Sequence, residues 1–173
     1  VVEGVIQLGA YGEPVRPLVR LIEAHPGQLE ILLDGAPFES GALIDRSGRF
    51  VLTVAATDLA GNAAQARVEF EVDLEPVGLE LLAPAEGALL TSTRTDVLGR
   101  TKPGARVSVQ GRLSSHQITA DAEGLFRVQA VELEAGSNRL TAQATDAFGR
   151  SSPELTRTVF VDTNGNQGLS GEL

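Results

Sequence analysis

One stretch of this chain is written twice. Leu52-Thr-Val-Ala-Ala-Thr-Asp58-Leu-Ala-Gly61-Asn62 returns as Leu140-Thr-Ala-Gln-Ala-Thr-Asp146-Ala-Phe-Gly149-Arg150, with an offset of 88 residues between the two aspartates. Self-similarity at that distance points to two related modules, each with its own core. Each copy runs on into a further strand-like stretch ending Val-Asp, at Val72-Asp73 and Val161-Asp162. A Gly-x-Phe stands ahead of each, Gly48-Arg49-Phe50 and Gly124-Leu125-Phe126. The first copy passes directly from Phe50 into the repeated strand, whereas the second inserts another strand and the turn Glu134-Ala-Gly136-Ser-Asn138. The modules are therefore related but have different middles.

The repeated segments have the period of strands. Phe50, Leu52, Val54 and Ala56 fall on one face, and Val51, Thr53, Ala55 and Thr57 on the other. Val68, Phe70 and Val72 alternate with Arg67, Glu69, Glu71 and Asp73. Alternation with a polar outer face is the mark of a half-buried antiparallel strand. In the second module Leu140, Ala142 and Ala144 share a face, but Val159-Phe160-Val161 is continuous and leaves its inward face open. Turn chemistry recurs at short intervals: Asp34-Gly35, Asp45 to Gly48, Asp58 to Gly61, Lys102-Pro-Gly104, Asp121 to Gly124, Asp146 to Gly149 and Asn164-Gly165. Asp and Asn accept from their own downstream backbone, and Gly takes the positive φ that such turns need. No long helix is expected; Pro17 to Ala24 reads as a strand ended by Pro26-Gly27. Many short strands between frequent turns imply an all-β sandwich or barrel. The boundary falls at Asp73-Leu-Glu-Pro76-Val-Gly78, where proline stops one strand and a new apolar run begins. The expected organisation is a first module over 1–75, with 1–27 the part matching nothing specific, a second over 76–162, and a flexible tail or linker over 163–173.

Composition enters as a set of exclusions. With no cysteine in 173 residues there is no disulfide framework, thiolate zinc site or cysteine nucleophile. A net charge of −9 and a single lysine, Lys102, argue against a nucleic-acid partner. No apolar run reaches the roughly 18 residues of a membrane span. The acidic surplus is uneven: residues 1–75 hold five arginines against twelve acids, a charge of −7, and 76–173 carry −2. The chain opens on Val1-Val2-Glu3 without methionine or a signal-peptide pattern, so we expect it to be an excised piece of a longer polypeptide.

The phrase Ala56-Thr-Asp-Leu-Ala-Gly-Asn62, with the following strand to Phe70-Glu-Val-Asp73, resembles the end of a bacterial immunoglobulin-like domain. The second module resembles it more fully, through Leu82-Ala-Pro-Ala-Glu-Gly-Ala-Leu-Leu90, Gly99-Arg-Thr-Lys-Pro-Gly-Ala-Arg-Val107, Ala120-Asp-Ala-Glu-Gly-Leu-Phe126, Leu133-Glu-Ala-Gly-Ser-Asn138 and Ala144-Thr-Asp-Ala-Phe-Gly149. This order is similar to the Ig-like repeats of bacterial surface proteins and to glucodextranase-type accessory domains. The resemblance covers most of 76–162 and, more loosely, about 28–74. Arg150 and Phe148 depart from it, standing where Asn and a small residue are common. It implies two tandem Greek-key sandwiches of seven strands each. It also implies a non-catalytic spacer or adhesin role in an extracytoplasmic bacterial protein, with the neighbouring domains of the same polypeptide as partners. The alternative it leaves open is an interaction module that binds a protein or glycan through pole loops or a strand edge.

Catalytic patterns are missing: there is no G-x-S-x-G, P-loop, H-E-x-x-H or G-x-G-x-x-G. His25 reads as a turn residue and His116 as an outward strand residue. Glu69/Glu71 and Glu132/Glu134 are carboxylate pairs on outer strand faces, more simply solvated faces than acid–base pairs. Calcium is the one metal weighed, with Asp58, Asp73, Glu75, Asp146 and Asp162 as candidates at turns and module ends. Against it, Asp58 and Asp146 suit Asx turns. The tail from Asp162 to Gly168 starts like an EF-hand loop but has Gln167 and Leu173 where Gly and an acid belong. A sugar platform needs exposed rings. Phe50, Phe70, Phe126 and Phe160 read as core, which leaves Tyr11 and Phe148 as loop candidates for a ligand.

Overall fold

The computed structural model describes residues 1–163. Every regular element in them is a strand, and the chain divides into two compact units, Val1–Glu75 and Pro76–Leu173. The reading of the tail as a linker, the Asn164-Gly165 turn and the EF-hand likeness lie outside the described residues.

In the first unit the strands are β1 (Val2–Glu3), β2 (Gly9–Tyr11), β3 (Leu18–Val19), β4 (Pro26–Leu33), β5 (Ala36–Pro37), β6 (Gly48–Asp58) and β7 (Ala63–Val72). Five of them form a sheet in the order β2-β7-β6-β4-β5, with β2 parallel to β7. The opposite layer is small: β1 pairs with β3, and Val15 bridges Ile44. Period two explains the core. Phe50, Leu52 and Val54 of β6 point inward with Phe70 and Val72 of β7, and Val5, Val15 and Ile44 close them from the other side. Phe50 stacks on Phe70 at 5.5 Å between centroids. Asp34 and Gly35, at φ 52° and 82°, make the two-residue β4–β5 hairpin with both central residues left-handed.

The second unit contains β8 (Leu79–Ala83), β9 (Leu89–Leu90), β10 (Arg94–Thr101), β11 (Arg106–Gln110), β12 (Ser115–Thr119), β13 (Leu125–Glu132), β14 (Gly136–Thr145) and β15 (Leu155–Val161). Its sheets are β13-β10-β8 and β12-β11-β14-β15-β9, the last pair parallel. The five-stranded order equals that of the first unit, with β12, β11, β14, β15 and β9 in the places of β5, β4, β6, β7 and β2. Val97, Val107, Val109, Val131, Leu140 and Val159 form the centre of a core filled from both sheets. Each such side chain contributes about 1.5–3 kcal/mol on removal from water. Asn138, a buried polar residue, closes the turn before β14: its Nδ2 donates to the Glu134 and Gly136 carbonyls and its Oδ1 accepts from Glu134 N–H.

Several expectations change. The segment from Pro17 to Ala24 is a strand only at Leu18–Val19, and Pro26 and Gly27 open β4 instead of ending a strand. The strand expected between the second Gly-x-Phe and the repeated segment is present: Phe50 lies within β6, whereas Phe126 lies in β13, which has no counterpart strand in the first unit. Register decides the continuous run, since Val159 and Val161 are buried and Phe160 is turned out, 42% exposed. His116 shares the inward face of β12 with Ile118 and Ala120, and its Nε2 is buried without a hydrogen-bond partner.

Candidate functional site

The repeated phrase forms a repeated loop. In the β6–β7 connection Asp58 Oδ1 accepts from Asn62 N–H at 2.8 Å, its Oδ2 accepts from Asn62 Nδ2 at 2.6 Å, and Gly61 turns at φ 88°. In the β14–β15 connection Asp146 Oδ1 accepts from the N–H groups of Phe148 and Arg150, both at 3.0 Å, and Gly149 turns at φ 80°. The same geometry recurs between β12 and β13, where Asp121 Oδ1 accepts from Glu123 and Leu125 N–H. The second copy differs by one cation: Arg150 Nε donates to Asp146 Oδ2 at 2.8 Å, while the guanidinium lies 5.2 Å from the Phe148 ring centroid. The Asn62 amide and nearby backbone N–H groups hold the Asp58 carboxyl below its ordinary value. Burial opposes the charge on Asp146, but the Arg150 guanidinium and two backbone N–H groups outweigh it and lower that carboxyl as well.

These bonds occupy the carboxylates of Asp58 and Asp146, two of the five calcium candidates. The Asp146 side chain is 5% exposed and faces a guanidinium, a poor start for a cation site. Asp73 and Glu75 follow β7, with Asp73 Oδ1 accepting from Glu75 N–H at 3.1 Å. Asp162 follows β15 and donates its N–H to the Leu90 carbonyl at 2.8 Å. Among the described residues no group of three or more His, Asp or Glu side chains could hold a metal ion. Of the two ring candidates, Tyr11 belongs to strand β2 and not to a loop. It packs edge-on against Phe70 at 6.3 Å, and its hydroxyl accepts from Ile6 N–H. Phe148 does sit in a loop, 37% exposed. The carboxylate pairs are matched by arginines: Glu69 by Arg67, Glu71 by Arg49, Glu132 by Arg94 and Glu134 by Arg112.

The feature that residue motifs did not flag is the outer face of β12, β11 and β14. Register places Thr119, Arg106 and Thr145 in one row, Gln117, Ser108 and Gln143 in the next, and Ser115, Gln110 and Thr141 in a third. Its first two rows, with Gly104 and the loop residues Asp146, Ala147 and Gly149, line a shallow cleft of about 660 Å³. No Asp or Glu occurs at the nine positions of the three rows. Part of the grid is already bonded, with Gln143 Nε2 donating to the Ser152 carbonyl and Thr145 paired with Ser151. A signal was present in the sequence, in the alternation of β11 as Arg-Val-Ser-Val-Gln, but strand pairing was needed to assemble it.

Residues 83–166 match the bacterial Ig domain family. No curated protein matches the chain in sequence. Among solved structures, murine CEACAM1b is similar at 14% identity over 94% of this chain and 99% of its own, with a TM-score of 0.49. The fibronectin(III)-like modules of Clostridium thermocellum CbhA are similar at 14% identity over 94% and 93%, with a TM-score of 0.41. The D00-D0 domain of intimin is similar at 10% identity over 93% and 98%, with a TM-score of 0.42. The family match spans strands β9 to β15, and the second unit is accordingly a bacterial Ig-like domain.

Proposed function

We propose that this chain is a non-catalytic, load-bearing spacer of an extracytoplasmic bacterial protein, positioning neighbouring domains of the same polypeptide. The observation that carries the reading is the parallel pairing of an early strand with the last strand in both units: Gly9, Ala10 and Tyr11 beside Phe70, Glu71 and Val72, and Leu89 and Leu90 beside Phe160 and Val161. Tension on a unit pulls such strands in opposite senses along a common axis. Their lateral bonds are then sheared together instead of being peeled one at a time. In the first unit Asp73 N–H donates to the Tyr11 carbonyl at 2.8 Å and Leu8 N–H to the Glu69 carbonyl at 2.6 Å. In the second, Gly87, Phe160 and Asp162 N–H groups donate to the Thr158, Ala88 and Leu90 carbonyls, each at 2.8 Å. The family match supports the bacterial, extracytoplasmic setting.

The test is single-molecule extension of the full chain held at its two ends. We expect two unfolding events of comparable, high force, with Leu90→Pro, which removes a donor from β9, lowering the force of one event alone. Two weak events like the unzipping of a hairpin, or an unchanged force in Leu90→Pro, would remove the load-bearing role.

A further inference from the structure

We propose that the outer face of β12, β11 and β14 binds a carboxylated glycan, with Arg106 as the carboxylate anchor. The inference is independent of the load-bearing reading, which concerns β9 and β15. Three observations carry it. The first is charge sorting. In the second unit the three-stranded sheet pairs its acids and arginines, Glu80 with Arg100, Asp96 with Arg127 and Glu132 with Arg94. The grid on the five-stranded sheet has one cation and no acid. The second is that Arg106 is uncommitted. Arg94, Arg100, Arg112, Arg127 and Arg150 each face a carboxylate, and Arg139 and Arg157 donate to Thr156 and to the Leu81 carbonyl. Among the described residues Arg106 has no such partner. Asp146 lies at the end of the same cleft, but its carboxylate is held by Arg150, so in a protein of net charge −9 the Arg106 guanidinium is left for an external carboxylate. The third is the internal comparison. On the equivalent strands β5, β4 and β6 of the first unit, the outward rows set Leu32 between Pro37 and Thr53 and the acid Glu30 beside Ala55, with no arginine in either row.

The chemistry of the face selects the ligand. Hydroxyl and amide side chains both donate and accept, as sugar hydroxyls do. Strands fix them about 4.8 Å apart across the sheet and about 6.8 Å apart along it, so one sugar ring reaches several at once. The guanidinium fork of Arg106 suits a carboxylate bidentately, with the Thr119 hydroxyl in the same row as a further donor. Arg139 lies six residues back along the same face of β14, about 20 Å away, and offers a second cation to a polymer with repeated carboxylates. A peptide would need apolar pockets that this grid does not offer, and a nucleic acid would need many more cations.

The experiment titrates the full chain with a hexamer of galacturonate and with a neutral glucose hexamer, following amide chemical shifts. Saturable shifts on β11, β12 and β14 with the acidic hexamer alone, weakening as salt rises, are expected. Arg106→Gln should weaken binding about tenfold or more with an unchanged melting temperature, while Arg20→Gln on the first unit leaves it unaltered. No saturation, equal binding of the neutral hexamer, or full binding by Arg106→Gln would each overturn the proposal. So would tighter, Arg106-dependent binding of a polyglutamate peptide, which would reassign the face to an acidic protein partner.

Discussion

At the scale of single residues, Gly99 and Ala130 carry the clearest physical constraints on the second unit. A side-chain carbon at Gly99 would collide with the Phe126 ring and the Glu80 carbonyl oxygen, so the missing Cβ is the space in which a core ring lies. Gly99→Ala should therefore destabilise the unit by about 1–3 kcal/mol through overpacking, seen as a lower denaturant midpoint at constant slope. An unchanged midpoint would mean that Phe126 repacks freely. Ala130 sits at φ 55° because β13 bulges there, two residues facing Asp96 of β10, whose Oδ1 accepts from Ala130 N–H at 3.0 Å. Residues differ in how far local sequence reveals them. Asp34-Gly35 announces its left-handed turn through residue types that tolerate it. Nothing around Ala130 does, since Phe126-Arg-Val-Gln-Ala-Val reads as an unbroken strand and the bulge is imposed by a partner 34 positions away. Phe160 was obscure for a similar reason: three apolar residues in a row have no period, and only pairing with β14 chooses the outward one.

At the scale of elements, the Asp-x-x-Gly loops are local devices, and local devices were readable. The aspartate, the glycine three residues on and the accepting carboxylate all lie within five positions. What was hidden is the Arg150 cation, which joins Asp146 only once the loop has folded. Its consequence is a pH dependence of known sign. Asp146, Asp58 and Asp96 all have carboxyls held below the ordinary 3.8, the last by Ala130 N–H and Arg127. Groups depressed in the folded state give stability that is complete above their unfolded value and is lost as pH falls through the lower folded one. The denaturant midpoint should thus hold steady from neutral pH down to the region just above 3.8 and decline below it. Asp146→Asn keeps an oxygen for the loop N–H groups but removes the charge facing Arg150. We expect it to cost about 1–2 kcal/mol at neutral pH and to flatten the acid limb. A steeper acid limb in the variant would refute the assignment. We expect EDTA to leave the neutral-pH midpoint unchanged, because hydrogen bonds and Arg150 already satisfy the loop carboxylates; a fall with EDTA would return calcium to one of the five acids.

At the scale of the whole molecule, the two units are built on one sheet order but have unequal second layers. The family phrases and the strand period made the sandwich legible, most fully in the second unit, because alternation, turn residues and repeat spacing are all recorded in short windows. The thin layer of the first unit was not legible. Leu18-Val19, Val15 and Ile44 have no sustained alternation, and their pairing is fixed by tertiary contact. Core size follows from layer size: eight buried apolar residues form the first cluster, against fifteen in the second. The apolar face of the first sheet runs on past the short layer, leaving Leu29 44% exposed beside Ala56. Charge works in the same direction, since 1–75 carry −7 and self-repulsion opposes compaction more strongly there. Burial scales with stability, so residues 1–75 and 76–163, produced separately, should differ in a definite order. The second should unfold cooperatively at the higher denaturant concentration with the larger slope. The first should unfold earlier and should gain more from added salt, which screens like charges. Equal midpoints at low salt, or a first unit that salt leaves untouched, would show that the β1-β3 layer and the Phe50–Phe70 stack compensate for the missing strand.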